Sequence, residues 1–165
     1  MMAEIDERYL NLSKHGVLNV PMTLWAGMLF LSRHWILLIA TLASRRSAET
    51  IQFAAGGLSW LPLVLELPVL LLIFAGFSRH PTAGTFLRQV WRFGRHILCL
   101  TAAVNIGWVS LLLWQSDEWR RWPELFLASC ALLDIAIILG VYRSDYIKQI
   151  FAEFPEPVAV DTPTP

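Results

Sequence analysis

Charge is scarce in this chain of 165 residues. Asp, Glu, Lys and Arg together make up 16% of it, against about 25% in an ordinary soluble domain. Neither sign is in excess, with 13 Lys and Arg against 13 Asp and Glu. A chain without surplus cations has little with which to neutralise a run of phosphates, so nucleic-acid binding is not expected. Cysteine is reduced to Cys99 and Cys130. Both fall inside apolar stretches, at depths that differ by roughly 15–20 Å on a helical rise, too far for a disulfide. Reaction and nucleotide signatures are missing as well: there is no P-loop, GxGxxG, GxSxG, HExxH or CxxC. The histidines, His15, His34, His80 and His96, offer no pair at a common depth, as haem ligation between two helices requires. No metal, no cofactor and no enzymatic activity are therefore expected.

Apolar residues dominate instead, at 56% of the chain, and the mean hydropathy is +0.52. That composition excludes intrinsic disorder, which needs low hydrophobicity and high net charge. The apolar residues gather in four blocks, 21–43, 58–77, 97–114 and 125–142. As helices these cover roughly 27–34 Å, the thickness of a bilayer core. Each block is apolar on nearly every face, whereas a soluble four-helix bundle would need polar residues outward every third or fourth position. The spacing predicts an all-α integral membrane bundle of four transmembrane helices with short connectors, the lipid bilayer being its main partner. Residues 1–20 read as a polar cytoplasmic segment and not as a cleavable signal. Residues 143–165 read as a cytoplasmic segment ending in a proline-rich disordered tail. Trp25, Trp60, Trp114, Trp119 and Trp122 stand at block ends, where indole rings favour the headgroup layer, while Trp35 and Trp108 lie deeper.

Four spans place both ends and the middle connector on one side. That side holds eight Lys or Arg and the other four, Arg45, Arg46, Arg120 and Arg121, so the positive-inside rule puts both termini in the cytoplasm. In the middle connector the run TFLRQVWRFGR sets Arg88, Arg92 and Arg95 on one helical face and Phe86, Val90 and Phe93 on the other. This basic face fits a short interfacial helix near anionic headgroups. It equally fits an extension of the third span.

Polar residues recur at mid-membrane. Arg33 is thirteenth of 23 residues in its block and His34 follows it; Glu66 is ninth of 20, Asn105 ninth of 18 and Asp134 tenth of 18. Although the helices alternate in direction, these groups share one depth. A guanidinium at the centre of an isolated span costs about 3 kcal/mol to insert, so Arg33 requires a partner. Glu66, on the adjacent span, is the first candidate and Asp134 the second, with Asn105 and Thr101 meeting remaining donors and acceptors. One cation against two carboxylates leaves a surplus negative charge, which a proton, a protonated His34 or a bound cation would balance. The cluster reads either as a device fixing helix register or as a proton, ion or small-solute site. Pro62 and Pro68 flank Glu66 and predict a kink there.

Several residues together resemble a known family. These are Tyr9, Gly16-Val17-Leu18, Pro21, Leu24-Trp25, Phe30-Leu31, Arg33 and Trp35, then Asp134, Tyr142-Arg143-Ser144 and Phe151-Ala152-Glu153-Phe154-Pro155. In outline they are similar to the YfeZ-like family of small bacterial inner-membrane proteins of unknown function. The middle of the chain, Glu66 included, matches only in hydropathy. The resemblance implies a multi-pass inner-membrane protein and brings no substrate or cofactor with it. The function expected is that of a non-enzymatic accessory subunit or assembly factor with a membrane-protein partner. The alternatives are an oligomeric proton, ion or small-solute transporter and, more remotely, an intramembrane lipid-modifying enzyme.

Overall fold

A computed structural model of the protein describes residues 17–43, 60–114 and 122–155. The N-terminal polar segment up to residue 16, both outer connectors with their arginine pairs and Trp119, and the proline-rich tail from residue 156 lie outside the described residues.

Among the described residues 84% are helical and none forms a strand. The helices are α1 (Met22–Leu31), α2 (Arg33–Ala43), α3 (Trp60–Phe77), α4 (Thr85–Arg92), α5 (Gly94–Trp114), α6 (Trp122–Arg143) and α7 (Asp145–Ala152). Three stretches are long and apolar enough to cross a membrane, Trp60–Phe77, Gly94–Trp114 and Glu124–Arg143, and the pair α1–α2 makes a fourth if it counts as one span. No more than a third of any of the three is buried inside the protein. Their outward faces carry Val64, Leu67, Leu71, Leu100, Leu132 and Leu139, all exposed. Water would not tolerate so much contiguous apolar surface, but lipid does. Trp60, Trp114 and Trp122 are exposed at helix ends, as headgroup-layer indoles would be. Trp25 is instead half-buried, its ring 4.6 Å from that of Phe77.

The first span is not one straight helix. It breaks at Ser32, and its halves are bent by 68°. Ser32 has φ −96° and ψ 23°, and its hydroxyl donates to the Leu29 carbonyl at 3.0 Å. A hydroxyl bonded back onto the preceding turn competes with the helical ladder and favours a bend there. Beyond the break α2 contributes no buried residue and packs mainly on α3. Of the two prolines beside Glu66, Pro62 sits in the first turn of α3, where its missing N–H costs no helical bond; Pro68 lies inside the helix.

The connector before the third span holds a separate helix, α4, parted from α5 by Phe93 at φ −86° and ψ 0°. A single residue, Ser144, separates α6 from α7, and its hydroxyl caps α7 by accepting from the Ile147 N–H at 3.2 Å. The hydrophobic core gathers at this end of the bundle, where Leu72, Trp91, Leu98, Val141, Ile150 and Phe151 are buried together.

Gly94 is what permits that packing. A Cβ built there would lie 2.4 Å from Phe151 Cε1 and 2.7 Å from Leu72 Cδ1. At Gly107 and Gly140 a Cβ meets nothing within 4 Å. Gly94→Ala is therefore expected to cost about 1–3 kcal/mol through overpacking, whereas Gly107→Ala and Gly140→Ala should be tolerated. Thermal unfolding in detergent micelles checks the contrast. Equal behaviour of the three variants would contradict the close approach of α5, α3 and α7.

Candidate functional site: two polar side-chain pairs at a broken helix

The break at Ser32 creates a helix N-terminus in the middle of the first span. The Ser32 carbonyl accepts from the N–H groups of Trp35 and Ile36, which makes Arg33 and His34 the first residues of α2. The leading N–H groups of a helix have no partner inside it, and in hydrocarbon they must find one. Glu66, on α3, supplies it. Its Oε2 accepts the His34 N–H at 3.2 Å, and its Oε1 lies 2.5 Å from His34 Nδ1. One carboxylate thus holds both the backbone and the side chain of one residue. The positive end of the α2 dipole adds to the attraction. Trp35 continues the α2–α3 contact by donating from its indole N–H to the Leu63 carbonyl at 2.8 Å.

Arg33 turns the other way. Its Nη1 and Nη2 donate to Oδ1 and Oδ2 of Asp134, each at 3.0 Å, a two-pronged fork onto α6. The guanidinium also lies 4.9 Å from the centroid of the Phe30 ring. Glu66 and Asp134 are both fully buried, while Arg33 and His34 keep only 15% and 11% of their side-chain surface. Asp134 lies within electrostatic reach of Glu66 and His34 too, so the two pairs form one cluster joining α2 to α3 and α6.

The pairing differs from the sequence expectation in one respect: Arg33 meets Asp134, not Glu66. Depth was readable from position along each span. The turn of the chain at Ser32 was not, and it directs consecutive residues, Arg33 and His34, to opposite neighbours. Asn105 is buried on α5 as well, but its Nδ2 finds no acceptor among the described residues. It does not complete the cluster by a direct bond. No group of three or more His, Cys, Asp or Glu positioned to hold a metal occurs among the described residues. Cys99 and Cys130 are both free thiols.

The arginines of the proposed interfacial face do not share one environment. Arg88 turns inward: Nη1 donates to the Pro155 carbonyl at 2.7 Å, Nη2 to that of Pro81 at 2.8 Å and Nε to that of Ala83 at 3.2 Å. It also covers the Phe154 ring at 4.9 Å. Arg95 donates to the Tyr142 carbonyl at 2.9 Å, at the negative end of α6. Arg92 alone of the three is exposed. Phe86 and Phe93 are exposed too, while Trp91 is the residue that α4 buries.

Sequence reasoning missed the centre of this second cluster, Arg79. Its Nη1 and Nη2 donate to the carbonyls of Leu18 and Glu153, each at 3.0 Å, and it stacks 4.7 Å from the Trp91 ring. Burial pulls its guanidinium below the ordinary arginine value, and Glu153 and Tyr146 act against that shift. The Leu18 N–H donates to Glu153 Oε2 at 3.2 Å, and the Trp91 indole donates to the Ile150 carbonyl at 2.8 Å. The available signal was a cation two residues beyond a span, together with the FAEFP run that supplies one of its two acceptors.

Leaving either Arg33 or Asp134 without its partner should cost about 3–5 kcal/mol, because the survivor is a buried uncompensated charge. Arg33→Leu and Asp134→Leu should each reduce folded protein strongly, and the double leucine variant should recover most of it. Arg33→Glu combined with Glu66→Arg should give no comparable rescue. Size-exclusion profiles of detergent-extracted protein report all four. Rescue by the Glu66 exchange alone would mean that the ion pairs are assigned to the wrong carboxylates.

Comparison with known proteins adds a family and no chemistry. No curated protein and no solved structure matches the chain. A family model described as Protein of unknown function (DUF2919) matches residues 9–153. Because that match takes in every helix from α1 to α7, the chain belongs to the DUF2919 family of proteins of unknown function.

Proposed function

We propose that this protein is a non-enzymatic accessory subunit or assembly factor of a bacterial cytoplasmic membrane, of the YfeZ-like kind, with both ends facing the cytoplasm. One observation carries the reading: the polar groups within the apolar blocks bind one another inside the chain. Arg33 is forked onto Asp134, and Glu66 is engaged by His34 through two contacts. A cluster consumed in this way fastens helices and leaves a broad apolar exterior as the surface through which the protein acts. The eight-to-four distribution of Lys and Arg supports the orientation.

The second reading, a proton, ion or small-solute transporter, is favoured by the break itself. Half-helix termini at mid-membrane are a recurrent way of building such sites, and Glu66 sits at one.

Two measurements separate the readings. Extraction from native membranes in mild detergent should yield a stoichiometric complex, and the partner's membrane level should fall when this chain is deleted. Purification as a homo-oligomer alone, with a pH-gradient-driven flux in reconstituted vesicles that Glu66→Gln abolishes without unfolding the protein, would replace the accessory reading with the transport one. For orientation, a reporter active only in the periplasm and fused after Pro165 should stay silent. Full activity would reverse the assignment.

A further inference from the structure

Two hydrogen-bond donors stand unpartnered in the interior of α5. Asn105 is 1% exposed, and its Nδ2 has no acceptor among the described residues. Trp108 Nε1, three positions on, is likewise enclosed and unpartnered. Residues three apart on a helix are neighbours on its surface, so Asn105 and Trp108 share an edge of α5 with Thr101, which is also buried. The break at Ser32 explains why the chain offers them nothing. Before it, α1 packs on both α3 and α5; after it, α2 turns through 68° and packs mainly on α3. The polar groups that α2 does carry inward, Arg33 and His34, are committed to Asp134 and Glu66.

Buried N–H groups in a bilayer cannot be left to lipid tails, which accept nothing. Both donors here are uncharged, and two donors on one edge can converge on a single oxygen. An anion would match their polarity, but its desolvation at this depth costs far more than that of a neutral molecule. Arg33, the one cation within the apolar blocks, is already forked onto Asp134. Small size, neutrality and acceptor capacity describe water, which occupies buried sites where polar groups otherwise lack partners. The other unpartnered buried nitrogens, Arg79 Nε and Arg95 Nε, lie at the end of the bundle, where headgroup and solvent oxygens are at hand.

We infer that an ordered water is bound between Asn105 Nδ2 and Trp108 Nε1, a hydrated site within the apolar length of α5.

The test uses the full chain, 15N-labelled, in lipid nanodiscs. Trp108→Phe and Asn105→Leu assign the indole and side-chain amide signals by their loss. In the wild type both N–H groups should show through-space cross-peaks to one water resonance. Each variant should unfold a few degrees lower, and the double variant should lose less than the sum, since either single change already breaks the bridge. Cross-peaks to lipid or to a second protein chain instead of water would overturn the proposal, as would Asn105→Leu unfolding at or above the wild-type temperature. Where one of these variants fails to fold, Trp108→Tyr or Asn105→Ser supplies the same assignment, and the wild-type cross-peaks then decide.

Discussion

A guanidinium halfway through a bilayer has to be met by a carboxylate, and the form of the bundle follows from how that is done here. Arg33 reaches Asp134 on α6 with both terminal nitrogens. The next residue, His34, is held by Glu66 on α3. Consecutive residues can point to different helices only because the chain bends between α1 and α2. The bend in turn exposes N–H groups that hydrocarbon cannot satisfy, and the Glu66 carboxylate takes one of them. Break and acid therefore require each other. A straight first span would leave Glu66 without its backbone donor, and a bent span without Glu66 would bury an orphan N–H at its most expensive depth.

The other end of the bundle is held by different means. Arg79 and Arg88 bind carbonyl oxygens and stack on Trp91 and Phe154. They draw the segment before α1 and the segment after α7 against the α3–α4 turn. A carbonyl is a weaker partner than a carboxylate, but several from separate segments on one planar guanidinium make a tie that a lysine could not reproduce. Leu18, near the start of the described residues, and the run from Phe151 to Pro155, at their end, meet in this tie.

The membrane-spanning helices were legible in the sequence because hydropathy over about 20 residues measures what the bilayer demands. The common depth of Arg33, Glu66, Asn105 and Asp134 was legible for the same reason: rise per residue converts position into depth. Direction around the helix axis was not. It depends on the bend at Ser32, whose only trace was three polar residues in a row, Ser32-Arg33-His34, inside an apolar block. Arg88 shows a different limit. An amphipathic pattern shows which side of a helix is polar, but not whether that side meets headgroups or a returning segment of its own chain. Here Pro155 and Phe154 lie against Arg88.

The charged cluster also marks a boundary in the packing. The contiguous hydrophobic core, from Leu24, Met28 and Leu31 through Val69, Leu72 and Ala75 to Leu98, Ala102 and Val141, lies wholly on the Arg79 side of it. Among the described residues on the far side the buried apolar side chains are few, Pro62, Val109 and Cys130 among them, and α2 has none. Lipid tails are as apolar as leucine, so no hydrophobic force draws helices together in that half; close packing and polar contacts must do so. The former is thin there, which leaves the weight on the latter. Arg33–Asp134, His34–Glu66 and the Trp35–Leu63 bond stand where the tightly packed half ends. They are the last points at which α2 is tied to the bundle before it diverges. Local stability should therefore fall from the Arg79 end towards the ends of α2 and α5 remote from it, in step with the decline in buried contacts.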